Sequence, residues 1–435
     1  MFLPDYIIYC INALENAGFQ AWAVGGCVRD SLLGLTPNDY DLCTDALPEQ
    51  TEAVFAAHNL ILTGKKHGTV GVILDGNVVE ITTFRTEGDY RDNRHPEWVE
   101  FVPEIEKDLA RRDFTVNAMA WSPGRGFADP FGGREDLQNR ILRAVGDPCV
   151  RFTEDALRVL RGVRFAVRYD LIPDPETERA MAELSPRVQT LAQERVYSEL
   201  CKLLPLVTAA DLIRFAPVLT QVIPELAPQV GYDQNNHHHI YDLYTHTAHV
   251  VAVQPPQLSL RWAALLHDTG KPGSRTEDAQ GEAHYHGHAA LSAGITRSIL
   301  LRLKSPTALR DQVELLVEKH MVWFPEDRKV VRRWISRLGY DVFESLIRFQ
   351  ETDCIATGTS GDMERSHFAL LRQLAEEIRG ENACLTLKDL AVNGHDLMAL
   401  GIRGKAIGET LNRLLNLVLE EAVPNEKPAL LEVLK

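Results

Sequence analysis

Asp39 and Asp41, in the run VGGCVRDSLLGLTPNDYDLCT from Val24 to Thr44, are two carboxylates one residue apart. Side chains at i and i+2 of a strand share a face, so the spacing predicts that the two stand together like prongs. Such a pair repels itself unless a cation lies between. Hard divalent ions such as Mg²⁺ bind through one or two carboxylates plus substrate phosphates, which makes a paired-Asp strand a natural triphosphate platform. Gly25 and Gly26 follow the apolar stretch Gln20 to Val24 and precede a helix predicted over Val28 to Leu33. Adjacent glycines let backbone N–H groups approach a ligand, and a helix N-terminus favours phosphate. Separately, a DxD is usually a solvated turn and a GG just a turn; the order strand, GG, short helix, DxD strand is specific. Glu80, in NVVEITTF, adds a third carboxylate if its strand lies beside the first.

The chain has 435 residues, a formal net charge of -15 and 45% hydrophobic content, which predicts two to four soluble domains. No apolar run reaches 18 residues, and MFLPDYIIYC lacks a basic leader region and a cleavage site, so the expectation is a cytoplasmic protein away from membranes. Seven cysteines without a CxxC spacing argue against a disulfide framework or structural zinc, and Cys27 and Cys43 read as small buried thiols. The acidic total counts against a nucleic-acid partner, but the charge is uneven. Five arginines face two acids between Arg151 and Arg168, and Arg158, Arg161, Arg164 and Arg168 fall on one helical face. A solvated helix face and a basic contact stripe both fit that spacing.

Residues 1 to about 140 alternate helical and strand-like runs: a helix near Asp5 to Gly18, strands near Gln20, Asp39, Gly68 to Leu74 and Val78 to Phe84, and a helix after Leu109. From Glu135 onward amphipathic helical patterns dominate. Polar breaks fall at Tyr232 to Asn236 and at Thr357 to Met363. The expected architecture is α+β: a sheet-containing head over 1–135, a helical neck and body over 136–235, an inserted helical domain over 236–357 and a helical tail over 358–435.

The GGCVRDSLLG and DYDLCT wording resembles the polymerase-β-like nucleotidyltransferases, and within them the class II CCA-adding enzymes and their bacterial poly(A) polymerase relatives. The resemblance implies a nucleotidyltransferase head with a small mixed sheet, followed by a neck, body and tail that are helical. It implies addition of C, C and A to a tRNA 3′ end from CTP and ATP with Mg²⁺, with Asp39 and Asp41 catalytic and metal-binding and with Gly25, Gly26 and Arg29 at the nucleotide. The charged run Arg85 to Val102 matches the family's flexible loop, and the presence of Arg91, Asp92, Arg94 and Pro96 favours the complete CCA activity over CC addition, although His95 stands where Arg is expected. Arg111, Arg112, Asp113 and Asn117 match the next motif, with Arg112 at nucleotide phosphate and sugar and Asp113 also readable as a helix cap.

EDALR, from Glu154 to Arg158, places Asp155 and Arg158 three apart on a predicted helix, an acceptor beside a forked donor. Cytosine and adenine each present an amino donor beside a ring-nitrogen acceptor, which matches that edge; uracil and guanine present the reverse order. A protein can thus select C and A without a nucleic-acid template. The resemblance gives this motif the same role, with Glu154 orienting the Arg and with Arg161 and Arg164 further along the nucleotide site. Gln193, Glu194 and Arg195 match a last motif that supports the neck. HGTV within Thr63 to Val72, where poly(A) polymerases carry a basic run, and the tail Val392 to Leu415 favour CCA over poly(A) addition. The tail resemblance implies a grip on RNA shape and backbone.

His246, His267, Asp268 and Asp353, with WAALLHDTGKP at Trp262 to Pro272, resemble the HD superfamily of metal-dependent phosphohydrolases. Adjacent His and Asp offer nitrogen and oxygen to one metal, and distant His and Asp complete the shell. His288 and His320 are further candidates, Lys271 can reach a phosphate, and His237, His238, His239, His284 and His286 read as surface residues. The resemblance implies a second divalent metal and a phosphohydrolase acting on RNA ends or nucleotides. A chain whose main activity is that hydrolysis, and a non-catalytic RNA-binding protein, are the rival readings.

Overall fold

The computed structural model describes residues 1–88, 99–235, 240–357, 362–381 and 383–434. Contacts gather into two compact units, Met1–Leu206 with Phe215–Pro224, and Val207–Arg214 with Glu225–Lys435.

The first unit is built on strands β1 (Ala21–Val24), β2 (Leu42–Thr44), β3 (Asn59–Ile61), β4 (Thr69–Leu74), β5 (Asn77–Thr83), β6 (Arg85–Glu87), β7 (Val99–Phe101), β8 (Ala120–Ser122) and β9 (Gly126–Ala128). Seven of these form one sheet in the order β3-β4-β5-β2-β1-β8-β9, while β6 and β7 pair as a separate ribbon. β2 and β5 run parallel and the other sheet pairs antiparallel, so the sheet is mixed. All four residues of β1 are buried. Its Trp22 and Val24 pack with Cys43, Phe84, Ile105 and Leu109 in the head core. Helix Asp5–Asn16 buries Ile7, Cys10, Ile11 and Leu14, the i, i+3, i+4, i+7 stripe of an amphipathic helix. The helix expected after Leu109 instead spans Ile105–Ala110, and a short 3₁₀ turn, Thr115–Asn117, follows it. Cys27 and Cys43 are buried free thiols, and burial pushes Cys27 up to about 11.

Helix Leu157–Tyr169 is joined to the head through buried ions. Asp113 accepts from the Phe114 N–H (2.9 Å), Asn117 Nδ2 (3.0 Å) and Arg161 Nε (2.8 Å). Asn117 in turn accepts from Arg29, which also donates to Asp30 and to Tyr169 Oη (2.5 Å) while lying 4.1 Å from the Tyr169 ring centroid. Burial alone would raise the Asp113 carboxyl, but the Arg161 charge and the Asn117 bond outweigh it and hold it at about 2.

Among the described residues the second unit is helical apart from a small ribbon, Thr276–Glu277 with Ala283–His284. Helices Leu243–Val253, Leu258–Leu266, Thr307–Lys319 and Tyr340–Ala356 pack on one another, and helix Asp362–Gly380 packs on the last of them. Val392, Leu397, Leu414, Leu415, Val418 and Leu430 form a separate core near the C-terminus. Among the described residues no helix is long and apolar enough to cross a membrane.

Because Asp113 is more acidic folded (about 2) than its ordinary 3.8, its contribution is complete above about pH 4 and is lost as the pH falls through about 2. Asp113→Asn should lower unfolding free energy at pH 7 by about 2 kcal/mol. In urea denaturation followed by circular dichroism, the gap from wild type should narrow at pH 3.5; an equal gap at both pH values would rule out this ionic role.

Candidate functional site

Asp39 and Asp41 both lie ahead of β2, which begins at Leu42, so the strand expected around Asp39 starts three residues later. Asp41 is nonetheless held like a strand residue, since its carbonyl accepts from the Val24 N–H at 3.0 Å. β5, which carries Glu80, lies beside β2 with Ile81 opposite Leu42, and the Glu80 charge is felt at Asp41, the residue before β2. Although the Asp41 side chain reaches the surface, the protein around it is the largest influence and pushes its carboxyl up to about 6. The charges of Asp39 and Glu80 act in the same direction and Arg112 opposes them. This concentration of negative charge with oxygen donors fits a hard divalent cation.

Gly25 stands at φ +74° where the chain turns from β1 into helix Gly26–Leu32. A Cβ there would lie 2.8 Å from Arg112 Nη1. The glycine thus serves two needs at once, the left-handed turn and the passage of an arginine toward the carboxylates. Arg112 is steadied by Asp108 at 3.4 Å, and its buried Nε has no hydrogen-bond partner. Asp108, fully buried, also takes Arg111 at 2.9 Å. Asp108 has no place among the residues expected at the site, and its only signal in the sequence is the i, i+3, i+4 spacing to Arg111 and Arg112. Arg29, expected at the nucleotide, is buried and turned inward to the Asn117, Asp30 and Tyr169 contacts described above.

The predicted helix carrying both Asp155 and Arg158 is broken between them. Helix Pro148–Glu154 ends at Asp155 (φ -140°, ψ 102°), and the next begins at Leu157. An extended residue lets the Asp155 carboxylate accept from the Leu157 N–H (3.0 Å) and from Arg195 Nη2 (2.8 Å). Arg158 donates from Nη1 to Glu154 (2.6 Å) and to the Arg151 carbonyl (3.0 Å), and from Nη2 to the Arg111 carbonyl (3.0 Å). Glu154 therefore orients Arg158, and Arg195 orients Asp155.

The arginine stripe is mostly internal. Arg158 and Arg164 are buried, and Arg158, Arg161 and Arg164 pair with Glu154, Asp113 and Glu199 at 2.6, 2.7 and 2.6 Å. Only Arg168 of the four is exposed. Arg161 and Arg164, expected along the nucleotide, here tie the helix to its neighbours. Arg91, Asp92, Arg94, His95, Pro96 and His237 to His239 lie outside the described residues.

In the second unit six side chains converge. His246 Nε2 and His267 Nε2 lie 3.1 and 3.4 Å from Asp353 Oδ1, and 3.6 and 3.1 Å from Asp268 Oδ2. The other Asp268 oxygen faces His288 Nε2 (3.3 Å) and His320 Nε2 (3.9 Å). Two donor triads thus share Asp268: one with His246 and His267, one with His288 and His320. Backbone carbonyls of Ala264, Tyr285 and Val317 sit 2.8, 2.7 and 2.6 Å from the Nδ1 atoms of His267, His288 and His320, an arrangement that aims each Nε2 inward. Gly270 makes the convergence possible, because a Cβ there would meet the His288 carbonyl and the Ser292 nitrogen at 2.7 Å. Burial would lower His267, but the Asp268 and Asp353 charges overcome it and raise it to about 10; burial pushes His320 down to about 4. His267 Nε2, both Asp268 oxygens and Asp353 Oδ1 are buried atoms whose polar contacts are with one another, with His246, His288 and His320, and with Lys271. Buried imidazole and carboxylate donors converging in this way fit a divalent transition metal. Lys271 sits 2.8 Å from Asp268 and 2.9 Å from Gln234.

Family models match three stretches: the poly A polymerase head domain over residues 21–143, the RNA and SrmB-binding site of polymerase A over 170–229, and tRNA nucleotidyltransferase domain 2 over 289–434. A CCA-adding enzyme of Geobacillus kaustophilus is 32% identical over 428 residues, covering 96% of this chain and 93% of the relative. CCA-adding enzymes of Leuconostoc mesenteroides and Geobacillus stearothermophilus are 46% and 47% identical over 194 residues, 45% of this chain; these matches span about half of each relative, 48%. Among solved structures, the Bacillus stearothermophilus CCA-adding enzyme in complex with CTP superposes with TM-score 0.75 at 29% identity, covering 100% of this chain and 98% of that one. A Thermotoga maritima CCA-adding enzyme complexed with tRNA shares the fold at TM-score 0.59 and 22% identity, over 99% and 94% of the chains.

Isothermal titration of the full chain with Mn²⁺ or Co²⁺ at pH 7.5 should show binding that Asp268→Asn weakens at least about tenfold and that Asp39→Asn with Asp41→Asn does not remove. Affinity should fall on acidification, because His267 must lose its proton to accept a metal. Equal binding by Asp268→Asn and wild type would exclude the cluster.

Proposed function

Because this chain belongs to the CCA-adding enzymes, we propose that it adds C, C and A to the 3′ end of tRNA from CTP and ATP without a nucleic-acid template. The observation that carries the reading is the separate clamping of the two base-selecting groups, Asp155 by Arg195 and Arg158 by Glu154. A carboxylate has about four acceptor positions and a guanidinium five donors, so each group keeps capacity for a base edge. Held at fixed angles, they accept the amino group and donate to the ring nitrogen of cytosine or adenine.

Asp39 and Asp41, with Glu80 beside them, hold divalent metal, for which Mg²⁺ is the hard-ion choice; Gly25, Gly26 and Arg112 receive the triphosphate. Bound there, the metal lowers the pKa of the attacking ribose hydroxyl and offsets triphosphate charge. The 3′ oxygen bonds to the α-phosphorus as the bond to pyrophosphate breaks. The tail Val392 to Leu415 grips the tRNA, the charged segment after Arg85 serves the change from C to A addition, and the cytoplasm is the place of work. The expected domains, 1–135, 136–235, 236–357 and 358–435, follow the same division of labour.

The histidine cluster favours a second activity in the same chain, an HD-type phosphohydrolase acting on RNA ends or nucleotides, with His246, His267, Asp268 and Asp353 as metal ligands. Its charge-balanced donors have no catalytic use in nucleotidyl transfer.

Labelled CTP and ATP, given separately and together with a tRNA ending at its discriminator base, test the main reading. Two C and one A should be added, with synthesis then stopping, and Asp39→Ala with Asp41→Ala should lower the rate at least about 10²-fold. Stopping after two C indicates a CC-adding enzyme, a long A tail a poly(A) polymerase. Arg195→Ala should reduce discrimination of CTP against UTP about tenfold, measured as the ratio of kcat/KM values; an unchanged ratio would remove Arg195 from base selection.

A further inference from the structure

A cavity of about 430 Å³ opens onto the histidine cluster, with His246, Asp268 and Lys271 at its polar end and Tyr285, Trp323 and Phe368 along its walls. The volume suits a small organic ligand. Trp323 is 63% exposed, unusual for the largest apolar side chain, yet it is firmly placed. His367 stacks flat against it, 4.0 Å between centroids and 8° between planes, and Phe368 meets it edge-on at 6.2 Å. His367 is itself buried and fixed by Glu326 at 2.9 Å.

We propose that Trp323 is the stacking platform for the base of a nucleotide whose phosphate faces the histidine cluster and Lys271. The inference rests on reading the cluster as a phosphohydrolase centre and names its specificity residue. One end of the cavity is ionic and rich in nitrogen donors, as a phosphate requires; the wall carries an indole backed by a second ring, as a flat base requires. Stacking on an aromatic face is strong and tolerant of base identity.

Two measurements test it. In the metal-free full chain, AMP should quench tryptophan emission, and the part of the quenching assigned to Trp323 should vanish in Trp323→Phe, which keeps a ring but not the indole fluorophore. With Mn²⁺, the ratio of kcat/KM for AMP to that for the base-free ester glycerol 2-phosphate should fall about tenfold in Trp323→Ala and recover in Trp323→Phe. Quenching that is identical in wild type and Trp323→Phe, or a Trp323→Ala variant that loses both substrates in parallel, overturns the proposal. If neither ester is hydrolysed by the wild type while Trp323-dependent quenching by AMP persists, the hydrolase reading fails and the platform stands.

Discussion

A carboxylate taken out of water must be met by donors or give up its charge. This chain accepts that condition at Asp108, Asp113 and Asp268, all nearly or fully buried. Each is surrounded by cationic or hydrogen-bonding partners from more than one element, and the partners are the residues that define the sites. Asp108 fixes Arg111 and Arg112. Asp113 fixes Asn117 and Arg161 and thereby the helix that carries Arg158. Asp268 gathers four histidines and a lysine. The geometry of both sites therefore follows from ion solvation inside the protein more than from apolar packing, which is featureless with respect to angle.

The division between what was legible in the residues and what was not follows the range of the forces involved. The β1 strand, the glycine turn and the amphipathic helix Asp5–Asn16 are written in local pattern and fell close to the expected positions. The four residues His246, His267, Asp268 and Asp353 were legible because their types share one chemistry, although 107 positions separate the first from the last. The arginine stripe misled because helical spacing tells which side chains share a face, not what that face meets. Here it meets Glu154, Asp113 and Glu199, two of them distant in sequence. Trp323 carried no signal: nothing local distinguishes a tryptophan in a core from one on a cavity wall.

The break at Asp155 shows a local rule overridden for a reason. An uninterrupted helix would have put Asp155 one turn before Arg158 and left its carboxylate pointing with the helix surface. Extended backbone instead turns it to Arg195, from a helix 38 positions downstream. Acidic residues that cap a following N–H compete well with helix continuation, and Asp155 does so at Leu157. The short interruption exchanges one turn of helix for independent control over two polar groups.

The parallel pairing of β2 with β5 makes the backbone a ruler. Neighbouring strands sit about 4.8 Å apart whatever their side chains, so the gap between β2, which follows Asp41, and β5, which carries Glu80, is set by hydrogen bonds between main chains. Amino acids around the two acids can change without altering that gauge. The spacing of the charges is thereby shielded from most of the sequence drift that the rest of the head can absorb.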